Sequence, residues 1–302
     1  WKRMYKKILI TGALGHIGAR IIHQISPSAY DEVILVDNLL TQRYVSLFHL
    51  PAGVKFNFIE ADISRVNWDE LLTGVDCVLH LAAITDAASS FGKAEEVERV
   101  NLDETKKIAL ACAAHGCRFI FPSTTSVYGV QENLVDEDCS IDNLKPQSPY
   151  ADSKLKAEQF LQQLAQDKGL KFVILRLGTI FGVSAGMRFH TAVNKFCWQS
   201  VMKQPVSVWR TALHQKRPYL DLGDANEAIA YVIKNNIFDG RIYNVVTVNT
   251  TVNHILDLIK AHMPDLTIQY VDVAIMNQLS YEVSNERFKK LGFMFNGQLE
   301  SG

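Results

Sequence analysis

Short apolar runs alternate with amphipathic stretches from the start of the chain. Lys7 to Ile10 (KILI), Glu32 to Val36 (EVILV), Val54 to Ile59, Cys77 to Leu81, Arg118 to Phe121 and Lys171 to Leu177 have strand length and are apolar enough to be buried. Between them, apolar residues recur at helical spacing. Ile17, Ile21 and Ile25 with Arg20 and Gln24 follow the first run, and Val97, Val100, Leu102, Ile108 and Cys112 mark a helix over Lys93 to His115. A third helix opens at Pro149, carries Leu155, Phe160, Leu161 and Leu164, and stops before Gly169. Strand and helix in alternation predict an α/β fold: a doubly wound, Rossmann-like parallel sheet with crossover helices on both faces.

Beyond Leu177 the alternation loosens. Gly178 to Arg188 reads as loop, Phe189 to Lys203 as helix, and Arg210 to Tyr219 carries basic and aromatic residues without a period. Asp224 to Asn235, Val252 to His262 and Asn285 to Leu291 read as helices, and Arg241 to Val246 as a strand. The expected organisation is a dinucleotide-binding domain over 1–177 and a smaller substrate-binding region over 178–302, with parts of 216–246 returning to the main sheet. No linker or solenoid period separates the two.

Composition removes several function classes. A net charge of −1 over 302 residues gives no electrostatic case for nucleic acid or an anionic membrane. The longest apolar runs are strand-sized, and WKRMYKK leads straight into a strand, so the expectation is a cytoplasmic protein with no membrane partner. Five cysteines without a CxxC pair fit reduced thiols, and nine histidines without ligand spacing predict no metal.

The chemistry concentrates at a few sites. Thr11 to Gly18 (TGALGHIG) puts glycines 12, 15 and 18 between a strand and a helix, an order that suits a pyrophosphate at a helix N-terminus; three glycines alone equally fit a capped turn. Asp37, at the tip of the second strand, strengthens the first reading, because a carboxylate there accepts from both ribose hydroxyls and repels a 2′-phosphate. This favours NAD, although Arg43 is close enough in sequence to accommodate that phosphate. Tyr150 and Lys154 lie four apart at a helix start and so share a face, where an ammonium and a cationic nicotinamide can stabilise a phenolate. The preceding strand ends in Ser123 and Thr124, hydroxyls able to share a proton with the same sugar oxygen.

With TGALGHIG, VDNL, ADI, HLAA, Asn101, FPSTTSVYG, SPYADSK, LRLGTIFG, RPYLDLGD and SNERFKKLGF in this order, nearly the whole chain resembles the extended short-chain dehydrogenases that act on nucleotide sugars, the UDP-glucose 4-epimerase-like group. The resemblance implies a catalytic trio of Thr124, Tyr150 and Lys154. It implies an NAD site of Gly12, Gly15, His16, Ile17, Gly18, Asp37, Asn38, Asp62, Ile63, Leu81, Ala82, Ala83 and Asn101 with Tyr150 and Lys154, and a substrate diphosphate held by Arg217. Dehydrating and decarboxylating members carry an acid where Thr125 and Ser126 stand here. C4 epimerisation needs only hydride transfer and one acid/base, so the resemblance implies an epimerase. A reductase or dehydrogenase on the same trio, or a non-catalytic NAD-binding regulator, remains as the alternative. Thr179 replaces the family's asparagine, and Thr85 its lysine after the fourth strand. With Ser123, Thr124, Arg188, Asn194 and Arg217 they make up the expected contacts to a nucleotide-diphosphate sugar. In this family the helices matching Lys93–His115 and Pro149–Lys168 form a four-helix interface, which implies a homodimer, with Ala109, Ala113, Leu155 and Phe160 on the outer sides.

Overall fold

The computed structural model describes residues 5–87, 89–272 and 280–300. The first four residues of WKRMYKK lie outside them. In chain order the first half runs β1 (Lys7–Thr11), α1 (His16–Gln24), β2 (Glu32–Asp37), β3 (Phe56–Glu60), α2 (Trp68–Leu71), β4 (Cys77–His80), α3 (Ala94–Glu98), α4 (Glu104–His115), β5 (Arg118–Thr124), α5 (Pro149–Lys168) and β6 (Phe172–Leu177). The second half adds β7 (Thr179–Phe181), α6 (Ala192–Val201), β8 (Val206–Trp209), β9 (Lys216–Asp221), α7 (Leu222–Lys234), β10 (Ile242–Val245), β11 (Val248–Thr251), α8 (Val252–His262), β12 (Ile268–Val271) and α9 (Glu286–Lys289).

Seven of these strands form a parallel sheet in the order β10-β6-β5-β4-β1-β2-β3. Side chains alternate across it as the strand period demands. Ile8, Ile10, Val33, Leu35 and Leu79 face α1 and α7, whereas Leu9, Ile34, Val36 and Val78 face α4 and α5. Both faces are therefore buried, which is why the strands read as continuous apolar runs. The chain leaves β1 for β2 on one side and returns to β4 on the other, so a crevice opens at the C-terminal ends of β1 and β4.

A second apolar cluster of Phe181, Val193, Phe196, Val206, Val208, Tyr219, Ile255 and Leu256 belongs to the later region. That region is not a clean C-terminal block. β10 pairs with β6, α7 packs on α1, and Phe288 and Phe293 are buried in the same core against Tyr231 of α7, with Phe288 also against Tyr243 of β10.

Several boundaries differ from the sequence reading. The Gly178–Arg188 segment contains β7, a strand too short to show a period. Arg210–Tyr219 runs into β9, the centre of a three-stranded sheet with β11 and β7; Pro218 and the flanking charges hide it, since proline argues against a central strand. The Phe189–Lys203 helix is confined to Ala192–Val201. Lys93–His115 is interrupted by a π-helical turn over Arg99–Asp103, which turns Asn101 inward. Ala109, expected on the outer side, is fully buried against the sheet, and Leu110 takes the exposed position. No helix among the described residues is long and apolar enough to cross a membrane.

Candidate active site

The glycine turn sits at the crevice, and each glycine has its own steric reason. Gly12 has φ +63°, and a Cβ there would come within 2.6 Å of the Ala82 nitrogen at the top of β4. A Cβ on Gly18 would come within 2.4 Å of the Ala13 carbonyl, so this glycine lets α1 pack close to the turn. Gly15 is different: a Cβ there would meet only the Gly12 carbonyl, at 3.3 Å, and no side chain caps the helix that it opens. The N-terminus of α1 thus has backbone N–H groups without a side-chain cap and room at Gly15, a cradle that fits a dinucleotide pyrophosphate.

Asp37 is fixed beside this turn, its Oδ2 accepting from the Leu14 amide at 3.0 Å and its Oδ1 from the Leu39 amide at 2.9 Å. Burial lowers the Arg43 guanidinium, and Asp37 is near enough for its charge to oppose this. The Ser64 hydroxyl and amide, and after them Asn38, which donates to Asp62 at 3.0 Å, hold the Asp62 carboxyl below its usual range. Ile63 is buried beneath them. His16 is buried and bonds through Nε2 to the Gly182 carbonyl at 2.8 Å, and burial pushes its pKa down to about 4.

A cavity of about 540 Å³ continues from the crevice between the sheet and the later region. Ile17, Leu81, Ala83, Thr85, Ser123, Thr124, Tyr150, Lys154, Thr179, Arg188 and Arg217 all line it. Helix α5 delivers Tyr150 and Lys154. Ser148 caps it by accepting from the Ala151 amide, Pro149 occupies its first turn, and Gly169 ends it at φ +69°. The Thr124 hydroxyl is hydrogen-bonded to the Tyr150 phenol and accepts from the Ser126 amide at 3.1 Å. Lys154 is buried, donates to the Pro122 carbonyl at 2.8 Å and lies over the Phe121 ring; burial pushes its pKa down to about 7 against the pull of the Glu158 charge. Burial raises the Tyr150 phenol. The charge that most opposes this rise is the Arg188 guanidinium, with the Thr124 bond next, so the helix lysine is not the main cation acting on it.

Three expected contacts have other employment. Ser123 donates to Glu158 at 2.5 Å, within a buried network in which Arg176 also donates to both Glu158 oxygens; Thr124 is left as the hydroxyl serving Tyr150. Asn101 lies outside the cavity, clasping both backbone groups of Ile84 at 2.8 and 2.9 Å and reaching Ser153 at 3.2 Å. Asn194 accepts from the Gly182 amide and donates to the Arg188 carbonyl at 2.9 Å, so it shapes the loop and leaves Arg188 to enter the site. Ser126 also lines the cavity, as do Asp86, His190, Lys195 and Trp209, which escaped the sequence reading. His190 and Lys195 stand beside Arg188 and Asn194 in GMRFHTAVNKF, but nothing in their spacing marks them.

Residues 8–245 match the model of the NAD dependent epimerase/dehydratase family. An uncharacterized UDP-glucose epimerase of Bacillus subtilis is 29% identical over 248 residues, covering 79% of this chain and 76% of that protein. A trifunctional UDP-glucose 4,6-dehydratase, epimerase and reductase of Arabidopsis thaliana is 28% identical across 98% of this chain, which spans 46% of its length. A UDP-glucuronic acid 4-epimerase variant of Bacillus cereus, in complex with NAD and UDP-4-deoxy-4-fluoro-glucuronic acid, superposes with a TM-score of 0.89 at 24% identity, over 98% of this chain and 96% of its own. At that identity the likeness establishes the fold.

Proposed function

The chain belongs to the NAD dependent epimerase/dehydratase family, and we propose that it is a nucleotide-sugar epimerase that inverts C4 through a transient 4-keto sugar. The make-up of the cavity around Tyr150 carries this reading. Among the described residues Asp86 is the only carboxylate that lines it; where an elimination would need a further acid, Ser126 offers a hydroxyl and Thr125 is buried against the Tyr281 hydroxyl. One proton-transfer centre suffices for C4 epimerisation.

Tyr150 takes the proton of the sugar 4-hydroxyl and Thr124 steadies the oxygen between them. Lys154, Asp37 and the Gly12–Gly18 turn are the residues that would hold NAD, which when bound supplies the hydride acceptor and donor for C4. Arg217 grips the diphosphate, so the keto sugar turns about a fixed anchor and presents its other face. Residues 1–177 with the returning β10 and α7 form the cofactor half, and the remainder of 178–302 forms the substrate half.

The test is incubation with NAD and a panel of UDP-glucose, UDP-N-acetylglucosamine, UDP-glucuronate and dTDP-glucose, with products read by NMR. A C4 epimer without accumulation of reduced nicotinamide is expected. Stoichiometric reduced nicotinamide, or a 4-keto-6-deoxy product, would refute the epimerase.

We further propose a homodimer built on α4 and α5, which lie side by side. Leu110 is exposed on α4, and the half-buried Phe160 on α5 lies under the Lys106 ammonium. Leu110 and Phe160 supply the apolar surface that such an interface needs beyond what both helices bury on the sheet.

A further inference from the structure

We propose that Tyr281 is a positioning residue: it fixes the span between the proton-transfer centre at Thr124 and Tyr150 and the diphosphate anchor at Arg217, and so keeps C4 in register with Tyr150; the inference rests on the nucleotide-sugar epimerase reading above. Tyr281 lies between β12 and α9, 156 positions along the chain from Thr125, which it bonds.

This one residue touches both ends of the span. Its amide donates to the Lys216 carbonyl at 3.0 Å, and Lys216 immediately precedes Arg217 in β9. Its phenol is hydrogen-bonded to the Thr125 hydroxyl at 3.3 Å. Thr125 opens the short 3₁₀ turn Thr125–Tyr128, which Thr124 caps by accepting from the Ser126 amide while its hydroxyl also bonds the Tyr150 phenol. The segment around Tyr281 is tied down on both sides. Towards β9 and β11, the Lys216 ammonium pairs with Glu282 at 3.0 Å, and Asn249 clasps both backbone groups of Val283 at 2.9 and 3.0 Å. Towards the loop that follows the turn, the Val135 amide donates to the Glu282 carbonyl at 2.9 Å, and the Ser284 amide to the Val135 carbonyl at 2.8 Å.

Tyr281 is 5% exposed, packs with Val127, Tyr128, Val246 and Val283, and does not line the cavity, so it is no second acid or base for the sugar. Burial raises its phenol, which stays protonated at neutral pH and keeps its hydrogen for the bond to the turn. What it can govern is distance. A nucleotide sugar is held at Arg217 by the diphosphate on C1 and has to present the C4 hydroxyl, across the ring, to Tyr150. Neighbouring ring hydroxyls stand about a hydrogen-bond length apart, so a smaller shift of the turn spoils the alignment at C4 without bringing C3 into place. Misplacement by about 1 Å is enough to lower turnover by about 100-fold.

The experiment makes Tyr281→Phe, Thr125→Val and the double variant in the NAD-loaded protein. It measures kcat and KM with the sugar of the panel that wild type converts, the Kd for UDP as a probe of the anchor alone, and Tm. Tyr281→Phe should keep NAD and UDP binding and leave KM little changed while kcat falls by about 10- to 100-fold. Thr125→Val should do the same, and the double variant should be no worse than either, because all three remove one bond. An unchanged kcat in Tyr281→Phe, with or without a lower Tm, overturns the inference and leaves the epimerase standing. So do losses that multiply in the double variant, or a UDP affinity that falls in step with kcat. A wild type that converts none of the panel's sugars, or accumulates reduced nicotinamide, overturns the epimerase reading and this inference with it.

Discussion

Replacing Glu158 by Gln tests how the catalytic helix is tied to the sheet. Glu158 lies one turn beyond Lys154 and is buried. Its oxygens accept from Arg176 Nε at 3.0 and 3.2 Å, from Arg176 Nη2 at 2.6 Å and from Ser123 at 2.5 Å. The substitution leaves a charged guanidinium buried without its partner, which costs about 3–5 kcal/mol. At roughly 2 °C per kcal/mol for a chain of this size, Tm should fall by about 6–10 °C. Equilibrium urea unfolding followed by tryptophan fluorescence gives the free energy directly. Replacing both partners, as Glu158→Met with Arg176→Met, removes the stranded charge and should be less destabilising than Glu158→Gln alone. The same charge acts on function. Glu158 pulls the Lys154 pKa up towards its value of about 7, so Glu158→Gln should shift the pH at which Lys154 deprotonates downward. A limb of the kcat/KM profile set by loss of the ammonium should move to lower pH with it. A single-variant loss under about 1 kcal/mol, or a double variant equal to the sum of its singles, would refute the coupling.

Tyr150→Phe should keep the fold and NAD binding but lower turnover by about 10²- to 10⁴-fold, because only the proton-transfer oxygen is removed; near-normal turnover would contradict its role. Asp37→Ala should relax the preference for NAD over NADP measured by titration, and a wild type that binds NADP more tightly would invalidate the ribose assignment. Sedimentation should give twice the monomer mass, and Leu110→Glu should shift the population towards monomer; an active monomer at micromolar concentration would rule out the proposed interface.

What was legible in the sequence is what is contiguous in it. The turn from Gly12 to Gly18, the acid at Asp37 and the pair Tyr150 and Lys154 each lie within one strand, turn or helix start, where spacing alone fixes relative position. Buried polar residues were the weak point. Asn101 and Asn194 have the side chain of a ligand contact, but each is used up on backbone groups of the loops that carry Thr85 and Arg188. Ser123 and Thr124 could have been separated in advance. Adjacent residues on a strand point to opposite faces, so one of the two had to leave Tyr150, and Ser123 turns to Glu158.

The role of Arg188 could not be read in the same way, since 38 residues and a change of sheet separate it from Tyr150. Its placement ties the chemistry to the assembly of the site. The loop that carries Arg188 rests directly on the glycine turn: the Gly182 carbonyl bonds His16, the Ser184 hydroxyl donates to the His16 carbonyl at 2.9 Å, and a Cβ on Gly186 would come within 2.4 Å of the Leu14 carbonyl. Lys154 is engaged with the Pro122 carbonyl and, with a pKa of about 7, is only partly charged near neutrality. The Arg188 guanidinium, whose charge opposes the rise of the Tyr150 phenol, thus comes from the substrate half, on a loop seated on the cofactor turn. Proton transfer at Tyr150 then depends on contacts made across the two halves, and a change at His16, Ser184 or Gly186 should reach turnover although none of the three touches the sugar.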